Sequence, residues 1–63
     1  MKKFILWKQE HGWCIVNFYD DGDTYLTFTD DVTKATELPF GKISLYLTRD
    51  IYVFESPMYQ DMQ

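Results

Sequence analysis

The sequence predicts a small α+β domain in which a three-stranded antiparallel meander precedes one short helix and a final strand. The meander is predicted by strand-like runs of β-branched and aromatic residues that alternate with short polar turns, one of which contains an Asp-Gly pair. The helix is predicted by an apolar stripe within residues 39–48. The alternative is an all-β fold, a five-stranded small barrel, in which residues 39–48 form a strand.

The first two predicted strands form a hairpin. Residues 3–7 are mostly aliphatic or aromatic, and the polar residues 9–12 then end the run in a turn that closes on a glycine. Residues 13–19 carry apolar side chains on both faces, because Cys14, Val16 and Phe18 alternate with further aromatic and aliphatic residues. We therefore expect this second strand to be central in the sheet.

The third predicted strand follows the Asp-Gly turn at residues 20–23. A glycine in such a turn accepts a positive φ at little cost, so an Asp-Gly pair between two strand-like runs predicts a hairpin. Residues 24–29 alternate cleanly, with Leu26 and Phe28 on one face and polar or tyrosine side chains on the other. These features complete the meander.

The second half of the chain is harder to assign. Residues 30–37 are polar and predict a loop or irregular crossover. For residues 39–48 we favour a helix with Pro39 in its first turn and an apolar stripe at Phe40, Ile43 and Leu47. Strict alternation of apolar and polar residues over the same stretch leaves a strand as the alternative.

The last predicted strand covers residues 51–55, which are rich in side chains that suit a pleated surface. Ser56 and Pro57 end it. The predicted organisation is therefore a single domain over residues 1–56, with a mobile C-terminal tail over residues 57–63. At 63 residues the chain has room for one domain at most.

The composition limits the possible partners and cofactors. One cysteine excludes an internal disulfide, and a single histidine beside it cannot complete a structural zinc site, so we expect no metal and no cofactor. A net charge of −4 and a pI near 4.6 weigh against nucleic acid or anionic membranes as partners and favour basic proteins. The apolar run at the start ends at Lys8, too early for a secretory signal, so we expect a cytoplasmic protein.

The charge pattern contains one clear candidate site, an acidic block that holds half of the ten acidic residues and no Lys or Arg within twelve positions. Its members are Asp20, Asp21, Asp23, Asp30 and Asp31. The spacing does not fit an EF-hand loop, which needs glycine at its sixth position and glutamate at its twelfth. If residues 24–29 form a strand, the two parts of the block lie roughly 23 Å apart at about 3.3 Å per residue.

We expect the acidic block to contact a partner with a basic surface. Charged groups attract and orient such a partner, whereas binding energy concentrates in buried aromatic anchors, for which Trp13 and Tyr25 are the candidates. Two negative groups one strand apart could also imitate a phosphate backbone, as a DNA mimic does. We expect no catalytic residue, because His11 and Cys14 lack a third group that would orient the imidazole.

Residues 25–36, Tyr-Leu-Thr-Phe-Thr-Asp-Asp-Val-Thr-Lys-Ala-Thr, resemble a segment of small accessory proteins from Gram-positive bacteriophages. In those proteins an acidic, Ala-rich helix usually follows, whereas residues 39–44 take its place here. The resemblance implies a small ββαβ-like or βββαβ domain that binds a host factor in the host cytoplasm. The functional expectation is an inhibitor or modulator of a host nucleic-acid-binding or defence protein, and the alternative is a self-associating accessory protein that forms a homodimer.

Overall fold

The structure is a computed structural model that describes residues 2–57. Within this range the chain forms an antiparallel sheet with one short α-helix and one 3₁₀ helix. In chain order the elements are β1 (Lys3–Lys8), β2 (Gly12–Phe18), β3 (Thr24–Thr29), the 3₁₀ helix (Val32–Lys34), β4 (Leu38–Pro39), α1 (Phe40–Ile43) and β5 (Ile51–Glu55). The predicted tail beyond Pro57 lies outside the described residues.

Strand β1 lies at the centre of the sheet. It pairs with β2 at its C-terminal end, with β4 at its N-terminal end and with β5 along most of its length, always antiparallel. Phe4 pairs with both Leu38 and Glu55, which places β4 and β5 on opposite edges of β1. Among the described residues, strand β3 pairs only with β2, and β5 pairs only with β1. The sheet therefore stays open, and the barrel alternative is wrong.

The predicted meander is confirmed, including the central position of β2. The first turn is closed by a hydrogen bond from the His11 N–H to the Lys8 carbonyl, 3.0 Å long, and Gly12 has a φ of 114°. In the second turn the Tyr19 N–H donates to the Asp23 carbonyl at 2.7 Å, and Gly22 has a φ of 94°. Both glycines occupy backbone conformations that other residues rarely adopt.

Strands β1 and β2 separate soon after their shared turn. Their pairing covers only Trp7 with Trp13 and Lys8 with Gly12. Beyond that point Thr36 bonds to β2 twice: its N–H donates to the Cys14 carbonyl at 3.1 Å, and its Oγ1 accepts from the Val16 N–H at 2.8 Å. Thr36 thus replaces β1 as the partner of β2 at the point where the sheet splits.

Removal of the Thr36 hydroxyl should measurably lower the stability of the fold. Thr36→Val keeps the shape of the side chain but leaves the half-buried Val16 N–H without its acceptor. We expect the free energy of unfolding to fall by about 1–3 kcal/mol, measured by urea denaturation. Thr36→Ser, which keeps the hydroxyl, should lose clearly less, and equal losses for both variants would show that this hydrogen bond contributes little.

The hydrophobic core lies between one face of the sheet and the segment that contains α1. Its buried members are Leu6, Cys14, Leu38, Ile43 and Ile51, with Phe4, Val16, Leu26, Phe28 and Tyr46 packed against them. The residues from β1, β2 and β3 in this set all have even numbers, as expected for strands whose side chains alternate between faces. The opposite face of the sheet carries a different, mainly aromatic set.

The prediction of a helix over residues 39–48 is wrong in its length. The helix α1 covers only Phe40–Ile43, and Pro39 precedes it in an extended conformation with ψ at 155°. Leu38 and Pro39 instead pair with β1 as the short strand β4, which the sequence did not reveal. The strand alternative fails as well, because hydrogen bonds from Tyr46 N–H to Ile43 O and from Ile51 N–H to Thr48 O form turns.

The predicted apolar stripe is also wrong. Only Ile43 is buried, at 5% exposure, whereas Phe40 and Leu47 are 76% and 49% exposed. The chain must turn back after Ile43 because Ile51 pairs with Lys8 at the far end of β1. Pairing with the sheet therefore overrides the local helical pattern. Within residues 2–57, no helix is long and apolar enough to cross a membrane.

Candidate functional site

The turn between β2 and β3 carries three aspartates, Asp20, Asp21 and Asp23, which we call the acidic tip. All three are exposed. The Oδ1 of Asp21 accepts a hydrogen bond from the Asp23 N–H at 3.0 Å, which shapes the turn. The carboxylates of Asp20 and Asp23 form no hydrogen bond or ion pair with any residue from 2 to 57. Their charge is therefore available to a partner.

Three aromatic residues beside the acidic tip are unusually exposed. Phe18, Tyr19 and Tyr25 have 70%, 56% and 41% of their surface accessible. The rings of Tyr19 and Tyr25 contact each other, with centroids 4.5 Å apart, which fixes their orientation next to the turn. Of these three, the sequence predicts only Tyr25 as a contact residue, although the position of Phe18 and Tyr19 directly before the Asp-Gly turn indicates that they are exposed as well.

The other part of the acidic block lies at the opposite end of β3. Asp31 caps the 3₁₀ helix, because its Oδ1 accepts from the Thr33 N–H at 3.0 Å and from the Thr33 Oγ1 at 2.6 Å. Asp30 is exposed and lies close to the first turn, its Oδ1 3.8 Å from where a Cβ on Gly12 would stand. The structure thus keeps the two parts of the block one strand length apart.

The hydrogen bonds of Asp31 predict a lowered pKa for its carboxyl group. The hydrogen bonds from the Thr33 hydroxyl and amide hold the pKa of Asp31 below its ordinary value of 3.8. Because the folded-state pKa is lowered, the stabilisation is present above pH 3.8 and is lost as the pH falls through the folded-state value. We expect Thr33→Val to raise this pKa towards 3.8 and Thr33→Ser to leave it low, measured by carboxyl carbon NMR titration.

The two predicted aromatic anchors lie in different places. Trp13 is half-buried at the end of the sheet next to Asp30, and its ring meets that of Phe54 edge-on at 5.4 Å. It belongs to a group on the outer face of the sheet that we call the aromatic face. The members of the aromatic face are Trp7, Trp13, Tyr52 and Phe54, and the fully buried Ile5 lies on the same side. Only Tyr25 adjoins the acidic tip.

A cleft of about 710 Å³ opens between the β2–β3 hairpin and the segment formed by β4 and α1. Its size falls within the range of ligand-binding clefts, which is about 300–1,000 Å³. Its lining includes Thr36, the aromatic residues Phe18 and Tyr46, and the acidic residues Asp23 and Glu37. The cleft borders the part of the sheet where Thr36 takes the place of β1 beside β2.

The residues considered for catalysis do not form a site together. Cys14 is 1% exposed, and burial raises the pKa of its thiol, which keeps it protonated. His11 is exposed at the first turn, where its ring lies 4.8 Å from that of Phe28. Over residues 2–57, no three side chains of the metal-binding types His, Cys, Asp and Glu are grouped so that they could hold an ion.

Comparisons of the chain with protein-family models, with curated proteins and with solved structures each found no match.

Proposed function

We propose that this protein is a small acidic binding protein that inhibits or modulates another protein by occupying a basic surface on it. The observation that carries the proposal is the combination at the end of the β2–β3 hairpin. Three exposed carboxylates, those of Asp20, Asp21 and Asp23, lie beside three exposed aromatic rings. The protein acts through this surface by association, with no metal, cofactor or covalent step of its own.

The aspartates of the acidic tip and the aromatic rings beside it contribute to binding in different ways. Carboxylates without a basic neighbour attract a positively charged surface and speed its approach, an effect that salt weakens. Aromatic side chains supply the buried contact area that holds a complex together. Tyr19 and Tyr25 already contact each other, so little side-chain freedom is lost when a partner covers them.

The proposed partner is a host protein that binds nucleic acid or acts in defence, and the proposed setting is the cytoplasm of a bacterium infected by a phage. The resemblance of residues 25–36 to phage accessory proteins supports this setting. A DNA-mimic version of the proposal adds Asp30 and Asp31 as a second negative group, roughly 23 Å from the acidic tip at about 3.3 Å per strand residue. In that version both ends of β3 contact the same basic groove.

The proposal is tested by removing the three charges of the acidic tip together, as Asp20→Asn, Asp21→Asn and Asp23→Asn. We expect capture of a basic partner from host lysate to weaken between about threefold and about a hundredfold, because the three exposed charge pairs contribute about 0.2–1 kcal/mol each. The loss should shrink at higher salt. Unchanged capture would remove the acidic tip from the mechanism.

A matched control removes three charges at the other end of the sheet, as Glu10→Gln, Asp30→Asn and Asp50→Asn. Both triple variants change the net charge by the same amount, so they separate a local contact from a general effect of charge. A contact limited to the acidic tip predicts that the control binds like the wild type. Equal losses in both variants would indicate a general effect of net charge and would contradict a contact at the acidic tip.

The aromatic face favours a second candidate function, self-association. Tyr52 and Phe54 are each 47% exposed, and both belong to β5, which within residues 2–57 pairs with the single strand β1. A second copy could cover these rings or extend the sheet at this edge. Light scattering separates the candidates: a stable dimer that Tyr52→Lys dissociates supports self-association, whereas a monomer leaves the acidic tip as the functional surface.

A further inference from the structure

The part of β2 that borders the cleft has an unpaired backbone edge. In an antiparallel strand, alternate residues direct their N–H and C=O groups to opposite neighbours. The Tyr19 N–H bonds across to Asp23, whereas the Cys14 carbonyl and the Val16 N–H bond to Thr36 on the other side. Odd-numbered residues of β2 therefore face β3, and even-numbered residues face away from it.

Beyond Thr36, the outward-facing groups of β2 have no partner among residues 2–57. They are the carbonyl of Val16 and both backbone groups of Phe18, since β2 pairs with β1 only at Gly12 and Trp13. Val16, Phe18 and Thr36 all line the cleft, so these groups border it. Along this edge the cleft is therefore bordered by three free backbone groups: the Val16 carbonyl, which can accept a hydrogen bond, the Phe18 N–H, which can donate one, and the Phe18 carbonyl, which can accept another.

We propose that the cleft binds an extended segment of a partner protein, which adds to the free edge of β2 as a further strand. This inference rests on the proposed binding function and specifies the form of the partner's contact. Strand addition supplies main-chain hydrogen bonds for affinity, and the side chains of the added strand supply specificity. Its three hydrogen bonds to Val16 and Phe18 continue the pairing that Thr36 begins.

The walls of the cleft select the composition of that segment. Leu38 and Tyr46 belong to the hydrophobic core or pack against it, and Phe18 and Leu45 line the cleft with 70% and 69% of their surface exposed. These side chains accept apolar residues. The charged residues that line the cleft are two acids, Asp23 and Glu37, and one base, Lys42. The acidic tip adjoins the cleft and adds further negative charge. A segment in which apolar and basic residues alternate complements both features.

The other free edges of the sheet do not combine unpaired backbone groups with a bordering cleft. Among the described residues, β3 and β5 are the outermost strands of the sheet. However, neither lines the cleft along its length, whereas the edge of β2 faces α1 and β4 across it. A segment bound there is covered on both sides, which excludes water from its hydrogen bonds and makes each one stronger.

The test uses the full chain and three synthetic six-residue peptides. The first alternates lysine and valine, the second is the same peptide with N-methylated backbone amides, and the third carries glutamate in place of lysine. Binding is followed by amide NMR spectra and by calorimetry. We expect the first peptide to shift the amide signals of Val16, Phe18 and Leu38, and the second and third to bind at least about tenfold more weakly.

Two substitutions at one position separate the backbone edge from the ring. Phe18→Ala removes the ring and keeps the N–H, whereas Phe18→Pro removes both. Proline is tolerated at an edge whose N–H has no partner in the sheet. We expect Phe18→Pro to bind the lysine–valine peptide about fivefold more weakly than Phe18→Ala. If Phe18→Pro does not fold, the N-methylated peptide still tests strand addition on the wild-type protein, through the hydrogen bonds that the peptide amides donate to the Val16 and Phe18 carbonyls.

The outcomes distinguish this inference from the function on which it rests. Equal binding of the lysine–valine peptide and its N-methylated form would overturn strand addition while leaving attraction by the acidic tip intact. Shifts confined to the aromatic face, or no binding at the highest soluble concentration of the lysine–valine peptide, would overturn the cleft as the docking site. The triple substitution in the acidic tip decides the proposed function separately.

Discussion

The variant Ile43→Ala is expected to lower the free energy of unfolding by about 2–5 kcal/mol, the usual cost of emptying a buried aliphatic site. Ile43 is 5% exposed and belongs to the core cluster with Leu6 and Ile51. A domain of this size has a total stability of roughly 3–9 kcal/mol at about 0.05–0.15 kcal/mol per residue. Loss of Ile43 should therefore leave a substantial unfolded fraction at room temperature, visible in urea denaturation followed by tryptophan fluorescence.

The matched control for this prediction is Leu47→Ala. Leu47 was expected on the same buried stripe as Ile43 but is 49% exposed. Substitutions at exposed positions usually change stability by less than about 0.5 kcal/mol. A large loss at both positions would show that residues 39–48 form the longer amphipathic helix that the sequence predicts, and that the short α1 is incorrect.

The variant Gly12→Ala is expected to lower the free energy of unfolding by about 2–6 kcal/mol, the sum of two effects. Its φ of 114° is strained for any residue with a Cβ, which costs about 1–3 kcal/mol. A Cβ at this position would also lie 2.9 Å from the carbonyl oxygen of Thr29, and relieving that contact means moving the backbone of β3. Such overpacking typically adds about 1–3 kcal/mol.

Gly22→Ala provides the matched control. Like Gly12, Gly22 has a positive φ, but a Cβ at Gly22 would not meet a carbonyl oxygen as a Cβ at Gly12 would. Its φ is 94°, and no atom lies within 4 Å of a Cβ placed there. We expect a loss of only about 1–2 kcal/mol from the strained backbone. Thermal denaturation of the two variants measures the difference, and equal losses would mean that β3 does not approach Gly12 as closely as the structure places it.

The strands of this protein are predictable because local signals and tertiary pairing agree. The runs at residues 3–7, 13–19, 24–29 and 51–55 all form strands with nearly the predicted bounds. The Asp-Gly turn sets the hairpin of β2 and β3, and the positive φ at Gly22 is the conformation that the sequence indicates there.

The second half of the fold is not predictable in this way, because distant pairing decides it. Leu38 and Pro39 look like the start of a helix, yet they form β4 by pairing with Phe4 and Lys3 more than thirty residues earlier in the chain. Periodicity alone does not distinguish the possible structures of such a short apolar run. The hydroxyl of Thr36, bonded to the Val16 N–H, likewise leaves no local pattern in the sequence.

The candidate site is likewise predictable from the sequence only in part. The sequence alone locates the acidic tip, because three aspartates around one glycine identify both the turn and its charge. It does not locate the cleft, which borders the part of the sheet where Thr36 takes the place of β1 beside β2. It also does not separate Tyr25, at the tip, from Trp13, on the aromatic face, since both are aromatic residues of strands and only the register of the sheet distinguishes them.

After Trp13, β2 leaves β1 and presents a free edge to the cleft. Amide hydrogen exchange of the full chain tests this arrangement directly. The Val16 N–H, bonded to Thr36 Oγ1, and the Asn17 N–H, which faces β3, should exchange slowly, while the Phe18 N–H between two paired neighbours should exchange much faster. Slow exchange at Phe18, equal to that at Val16, would contradict the account, because it would show that this edge is already paired.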